Sequence, residues 1–361
     1  MREISLHRLL RGPVAEPDRI ALLSIWFKDH NNPRYAELLP RLERLDAMLL
    51  RLSHRQVPRG VQFRALRWPR RSLYRLALPH ASKRYRGLLT LDLEQVPGFH
   101  GPIVADVDDP VFSPRAVAQL NDPNVKAYVV TAERAARRYE EMGVRKPHVV
   151  IPQGVSVSTL AQGVLEEQAT HRKDGEVVVG WMAAHLLTRD DRDGANTLYN
   201  IDHLLELWDR VHEQVPNARL WLVGGASSRI EQRVQGREDI ELFGRLPREQ
   251  ALATASNFDV SVYARERDQG IRAAKISEMI GLGVPTVSYD YEVTSDLRET
   301  GAGLLVKTEE EFVQALVSLL TDDARRASLA EAARRAGREL DWDVLADRFE
   351  RDVLDVFLPR S

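Results

Sequence analysis

The chain has 361 residues, of which 43% are hydrophobic and 29% charged, with a formal net charge of −2. That length exceeds what a single hydrophobic core usually serves, so two domains are expected, and the composition is that of an ordinary globular protein rather than a disordered or fibrous one. With no cysteine in the sequence, disulfides, thiolate metal sites and a thiol nucleophile are excluded.

Apolar runs alternate with helical periods along most of the chain. Arg19–Trp26 reads as a buried strand and Ala36–Leu50 as a Leu-rich helix. Gly87–Leu93 and Pro102–Val107 are strands, Ser113–Asn121 a short helix, Ala127–Val130 a strand, Ala132–Met142 a charged helix and Val149–Ile151 a strand. A polar link near Gly154–Arg172 separates the halves. The second half continues with strand Val177–Trp181, helix Tyr199–Gln214, strand Arg219–Val223, strand Ile240–Phe243 and helix Pro247–Ser256. Strand Asp259–Tyr263, helix Ala274–Leu282, strand Pro285–Ser288 and strand Leu304–Val306 follow, then helices Glu309–Leu319 and Asp322–Arg335, with Gly337 as a stop. Trp342, Leu345, Phe349, Val353 and Phe357 form a helical stripe in the final segment, which must pack on something. This is the pattern of parallel sheets covered on both faces.

Charge is uneven: Met1 to Thr90 holds 19 Arg and Lys against 7 Asp and Glu. Such a basic end attracts an acidic partner. Arg67, Arg70 and Arg71 alternate with Trp68 and Tyr74, as in some nucleic-acid grooves. No zinc-finger, helix-turn-helix or RNA-binding signature accompanies them, so nucleic acid is disfavoured. The Arg64–Arg75 segment leaves peripheral docking on anionic lipid open. No apolar run approaches a membrane span and the first residues lack a signal-peptide pattern, so the expected location is cytoplasmic, with attachment to the inner membrane face as a variant.

Ligands of open parallel sheets bind beyond the carboxyl ends of the strands. Gly224 and Gly225 follow an apolar strand, and Gly244 sits in the stretch ELFGRLP; each would admit close approach of a ligand. Lys275 begins a helix, where a cation opposes the dipole and so implies an external anion, which a diphosphate would supply. Glu278, one turn on, would accept hydrogen bonds from both hydroxyls of a ribose. Gly281 and Gly283 end this helix. Before it, in RERDQGIR, Asp268 and Gln269 would hold sugar hydroxyls, Gly270 would open the backbone to a phosphate, and Arg272 would neutralise charge. His185, Arg189 and Arg192 are further candidates for the donor phosphate. Asp106, Asp108 and Asp109 cluster after a strand; they fit acceptor contact better than a divalent ion, and His30, Asn31 and Asn32 could line the same side.

These residues resemble the retaining nucleotide-sugar glycosyltransferases of the GT-B type, the large group that includes sucrose synthases and bacterial mannosyltransferases. The resemblance rests on IPQGV at Ile151–Val155, Ala218–Gly225, Glu241–Pro247 and Lys275–Val287. It implies an α/β fold of two Rossmann-like domains facing across a cleft, with the last helix crossing back to the first domain. Residues 1–155 plus 341–361 would hold the acceptor, and residues 156–340 the donor. It also implies transfer from a nucleoside diphosphate sugar to a hydroxyl of a glycan, lipid-linked, small-molecule or protein acceptor, with retention and no metal or other cofactor. Glu278 matches the second glutamate of the family's paired motif, whereas Gly270 stands where the first should be, and Trp181 stands about where the family has an Arg. The residues assigned to catalysis are Asp106, Asp108, Arg272 and Lys275. A nucleotide-sugar epimerase and a non-catalytic carbohydrate- or protein-binding relative are the alternatives.

Overall fold

The computed structural model describes residues 1–27, 34–52, 67–155, 162–169, 171–188, 201–265, 268 and 273–360. The chain divides into two compact units, Met1–Gln153 with Trp342–Ser361, and Gly154–Asp341.

The first unit is built on β1 (Arg2–Glu3), β2 (Ile20–Phe27), β3 (Leu45–Leu52), β4 (Leu88–Thr90), β5 (Ile103–Val107), β6 (Val125–Val130) and β7 (His148–Val150). Their order in the sheet is β1-β3-β2-β4-β5-β6-β7, with every neighbouring pair parallel. Side chains alternate across the sheet. Ile20, Leu22 and Val104 point into one apolar layer, while Ala21, Leu23 and Ile103 point into the other. The first layer is closed by Trp342, Leu345, Phe349 and Val353 from the carboxyl-terminal segment, so that segment completes the core of the amino-terminal half. The second is closed by helices Leu6–Arg11 and Arg67–Arg84 through Leu9, Tyr74, Ala77, Leu78 and Ala81.

The expected helix Ala36–Leu50 is not there. Helical turns end at Arg41, and Leu45–Leu52 is a strand paired along its length with β2. Leu45 and Ala47 are buried on one face of the sheet and Met48 on the other, so the run is apolar on both faces apart from Asp46 and Arg51. A short run of this kind carries no period that separates a strand from a buried helix.

The second unit repeats the plan with β8 (Val177–Leu186), β9 (Ala218–Ala226), β10 (Ile240–Gly244), β11 (Val260–Tyr263), β12 (Thr286–Tyr289) and β13 (Gly303–Val306), in the parallel order β10-β9-β8-β11-β12-β13. Val179, Leu220, Leu222 and Val262 pack with Leu204, Trp208 and Phe312 on one face. Val178, Trp221 and Val223 pack with Phe258, Met279 and Val284 on the other.

Two glycines read as helix stops turn out to be contact points. Gly337 lies inside helix Asp323–Glu339, where a Cβ would sit 2.8 Å from the Ile280 carbonyl oxygen and 2.9 Å from the Gly281 Cα. Gly281 lies inside helix Ala274–Leu282, and a Cβ there would collide with the Val155 side chain. The stop of that helix is Gly283, left-handed at φ 74°.

Candidate functional site

In the second unit β8 is central, with β9 and β10 on one side and β11 to β13 on the other. Strand order therefore reverses between β8 and β11, and their carboxyl ends form the crevice where such sheets take ligands. The loops leaving these two strands carry Arg189, Arg192, Gln269, Gly270 and Arg272, all of which fall outside the described residues, as do His30, Asn31 and Asn32 of the first unit.

The described rim of this crevice is specific in its chemistry. Helix Ala274–Leu282 starts beside it, and its cap residue Ala273 offers no side chain to the first amides. Such a start favours an anion. Lys275, in the first turn, is half-buried and lines a small recess with Trp181, Met182 and Tyr263. Trp181 is fully packed, its ring stacked on Tyr263 at 5.9 Å, so this position supplies an apolar floor in place of a cation. Arg265, just past β11, is buried and donates to the Tyr263 hydroxyl at 3.0 Å.

Glu278 is 7% exposed, and its Oε1 accepts a hydrogen bond from Arg248 Nη1 at 2.7 Å. Arg248 opens helix Arg248–Ala255 directly after β10. A cation in a first turn opposes the helix dipole, and the carboxylate offsets that cost. Spacing along the chain missed Arg248, because the pair spans thirty positions and exists only through packing of two helices. The one local signal was an arginine at the first position of a helix.

The glycines divide. Gly224 is buried at φ 151°, and a Cβ would strike the Ala183 carbonyl oxygen, so its bareness serves close packing of β9 on β8. Gly225 faces His185, whose Nδ1 would lie 3.9 Å from an added Cβ, and His185 is exposed at the end of β8. Gly244 ends β10 with open space around it. Asp268 accepts from the amides of Glu292 at 3.2 Å and Val293 at 3.3 Å, so its carboxylate anchors the loop after β12.

In the first unit, Asp106 and Asp108 come together around a residue the sequence reading did not single out. Arg34, itself fully buried, places Nη2 3.1 Å from Asp106 Oδ1 and Nε 3.3 Å from Asp108 Oδ1. Its Nη2 also donates to the Ile151 carbonyl at 2.9 Å. Burial pushes the Asp106 carboxyl up to about 6, against the pull of Arg34 and with help from Asp108. Asp109 is exposed. Beside them lies a cavity of about 330 Å³ at the carboxyl ends of β4 and β5, lined by Asp92, Glu94, Asp108 and Asp109 over Leu91 and Val107. No group of three or more His, Asp or Glu among the described residues is arranged to hold a metal ion.

Residues 195–322 match the family model described as Glycosyl transferases group 1. Solved structures match over nearly the whole chain. WaaG, a glycosyltransferase involved in lipopolysaccharide biosynthesis, aligns with a TM-score of 0.62 at 13% identity, covering 94% of this chain and 99% of its own. The chain has the GT-B fold. HepE of Anabaena, in complex with UDP and glucose, aligns at 0.63 and 14% identity, covering 93% and 99%. The α,α-trehalose 6-phosphate synthase of Burkholderia multivorans aligns at 0.66 and 13%, covering 94% and 97%. A curated relative, glycosyltransferase 1 domain-containing protein 1 of Xenopus tropicalis, is 24% identical over 161 residues, 43% of this chain. The match spans 46% of that relative, so this chain covers about half the length of the curated protein it resembles.

Proposed function

We propose that the chain transfers a glycosyl group from a nucleoside diphosphate sugar to an acceptor hydroxyl, with retention of anomeric configuration. The observation that carries this reading is Glu278: a buried carboxylate, oriented by Arg248, on the helix that starts at the switch-point crevice of a GT-B donor unit. With Oε1 engaged by Arg248, the remaining acceptor capacity of the carboxylate is available to the ribose hydroxyls. Lys275 and the uncapped amides ahead of it meet the diphosphate, where negative charge grows as the glycosidic bond breaks. Arg189, Gln269, Gly270 and Arg272, which follow β8 and β11 in the sequence, are assigned to the same donor site. Gly225 and Gly244 border it.

The acceptor falls to the first unit, in the cavity beside Asp108 and Asp109. Arg34 holds Asp108 in place, and the apolar floor of Leu91 and Val107 suits the face of a sugar ring. Resemblance to WaaG, HepE and the trehalose synthase supports a nucleotide-sugar donor, HepE having been captured with UDP and glucose. The residue pattern calls for no metal or cofactor.

Gly270, in the place of a glutamate, favours one second reading: a relative that binds the nucleotide without turnover. A panel of nucleoside diphosphate sugars, followed by nucleoside diphosphate release with and without acceptors, separates the two. Acceptor-dependent release is expected, and NMR of the product should show the donor's anomeric configuration. Tight nucleotide binding with no release for any donor and acceptor pair would establish the second reading instead.

A further inference from the structure

Residues 47–91 contain eleven Arg and Lys and not one Asp or Glu. The described part of this run includes helix Arg67–Arg84, which packs on helix Leu6–Arg11, itself free of carboxylates. Two bonds lock the pair: Ala15 N–H donates to the Arg84 carbonyl at 3.0 Å, and Arg84 Nε donates to the Gly12 carbonyl at 2.8 Å. The inward stripe of the longer helix is apolar. Its opposite stripe, Ser72, Arg75, Leu76, Pro79 and Lys83, is exposed, at the three- and four-residue steps that keep a single face. Arg8 and Arg11 are exposed on the shorter helix. Two large apolar side chains stand out among these cations, Leu76 at 51% and Val14 at 74% exposure. Of the flanking carboxylates, Glu16 is engaged by Arg2 and Glu94 by Arg71 and Arg115, while Glu3 and Asp18 are exposed.

We propose that this helix pair is a docking surface for an anionic lipid bilayer. The surface is cationic with no acidic residue in either helix to neutralise it, so a dense sheet of negative headgroups complements it. Leu76 and Val14, isolated and projecting, gain by entering the headgroup boundary, which water denies them. A single-stranded nucleic acid would be held in part by stacking on aromatic faces, and the described aromatics here, Tyr74 and Tyr85, are buried in the core. The docking does not depend on the sugar-transfer reading, because it is read by binding alone.

The test is flotation of the full chain with vesicles of phosphatidylcholine alone or mixed with phosphatidylglycerol. Binding is expected only to the mixed vesicles, and it should weaken as salt is raised. Arg75→Glu with Lys83→Glu, two exposed positions, should weaken it by at least about 25-fold, at roughly fivefold per lost cation. Leu76→Ser should weaken it severalfold while leaving the circular dichroism spectrum unchanged. Equal binding to neutral vesicles, no binding to either, unaltered binding by both variants, or displacement from mixed vesicles by duplex DNA at lower concentration than by lipid would each overturn the proposal.

Discussion

Glu278 and Asp106 are both buried carboxylates facing an arginine, and Asp106 is the more deeply enclosed of the two. The Asp106 side chain has no exposure, and its burial outweighs the pull of the equally buried Arg34. Its raised proton affinity has a definite sign. The folded state holds a proton on Asp106 up to about pH 6 that the unfolded chain releases near its ordinary value of 3.8. The resulting stabilisation is present at low pH and lost as pH rises through about 6. Wild type should therefore lose stability relative to Asp106→Asn between those limits, measured by urea unfolding at each pH. Were pairing with Arg34 dominant, the slope would be reversed. Arg248→Met strands the Glu278 carboxylate and should cost about 2 kcal/mol in denaturant unfolding, with weaker nucleoside diphosphate binding by about tenfold. A variant as stable and as tight as wild type would show the pair to be incidental. Neither arginine was legible from spacing, since each meets its carboxylate only after distant segments pack. The helix that carries Glu278 was legible, because it has an apolar face and a glycine stop at Gly283.

At the level of elements, errors fell where local pattern and tertiary burial say different things. Apart from Asp46 and Arg51, Leu45–Leu52 is apolar on both sides because apolar layers cover both faces of the sheet, and no clear helical or strand period survives that. Gly337 looked like a terminator, yet its purpose lies across the helix interface. A glycine to alanine change inside a helix ordinarily stabilises by about 0.5–1 kcal/mol. Gly337→Ala should instead destabilise by about 1–3 kcal/mol, because the methyl meets the Ile280 carbonyl and the Gly281 backbone. A shift of the unfolding midpoint in the stabilising direction would contradict the close packing. The carboxyl-terminal stripe was read correctly as a face in need of a partner, and the partner is the amino-terminal sheet. Ending the chain after Asp341 strips Trp342, Leu345, Phe349 and Val353 from that core. Hydrogen exchange should then show lost protection in β2 to β5 while β8, β9 and β11 remain protected.

Across the whole molecule, one plan is used twice. Each unit is a parallel sheet whose strand order reverses once, between β2 and β4 in the first unit and between β8 and β11 in the second, and the candidate site residues lie toward the carboxyl ends of the strands. That repetition was visible in the alternation of apolar runs and helical periods. The division of labour between the units is the functional claim, and it turns on the second unit gripping a nucleotide through Glu278. Isothermal titration of a nucleoside diphosphate panel into wild type and Glu278→Gln tests it most directly. At least one diphosphate should bind wild type, and the variant should bind it about ten- to a hundredfold more weakly, as loss of charge-assisted bonds to the ribose requires. Equal affinity in the two proteins, or no binding by wild type to any member of the panel, would contradict the account.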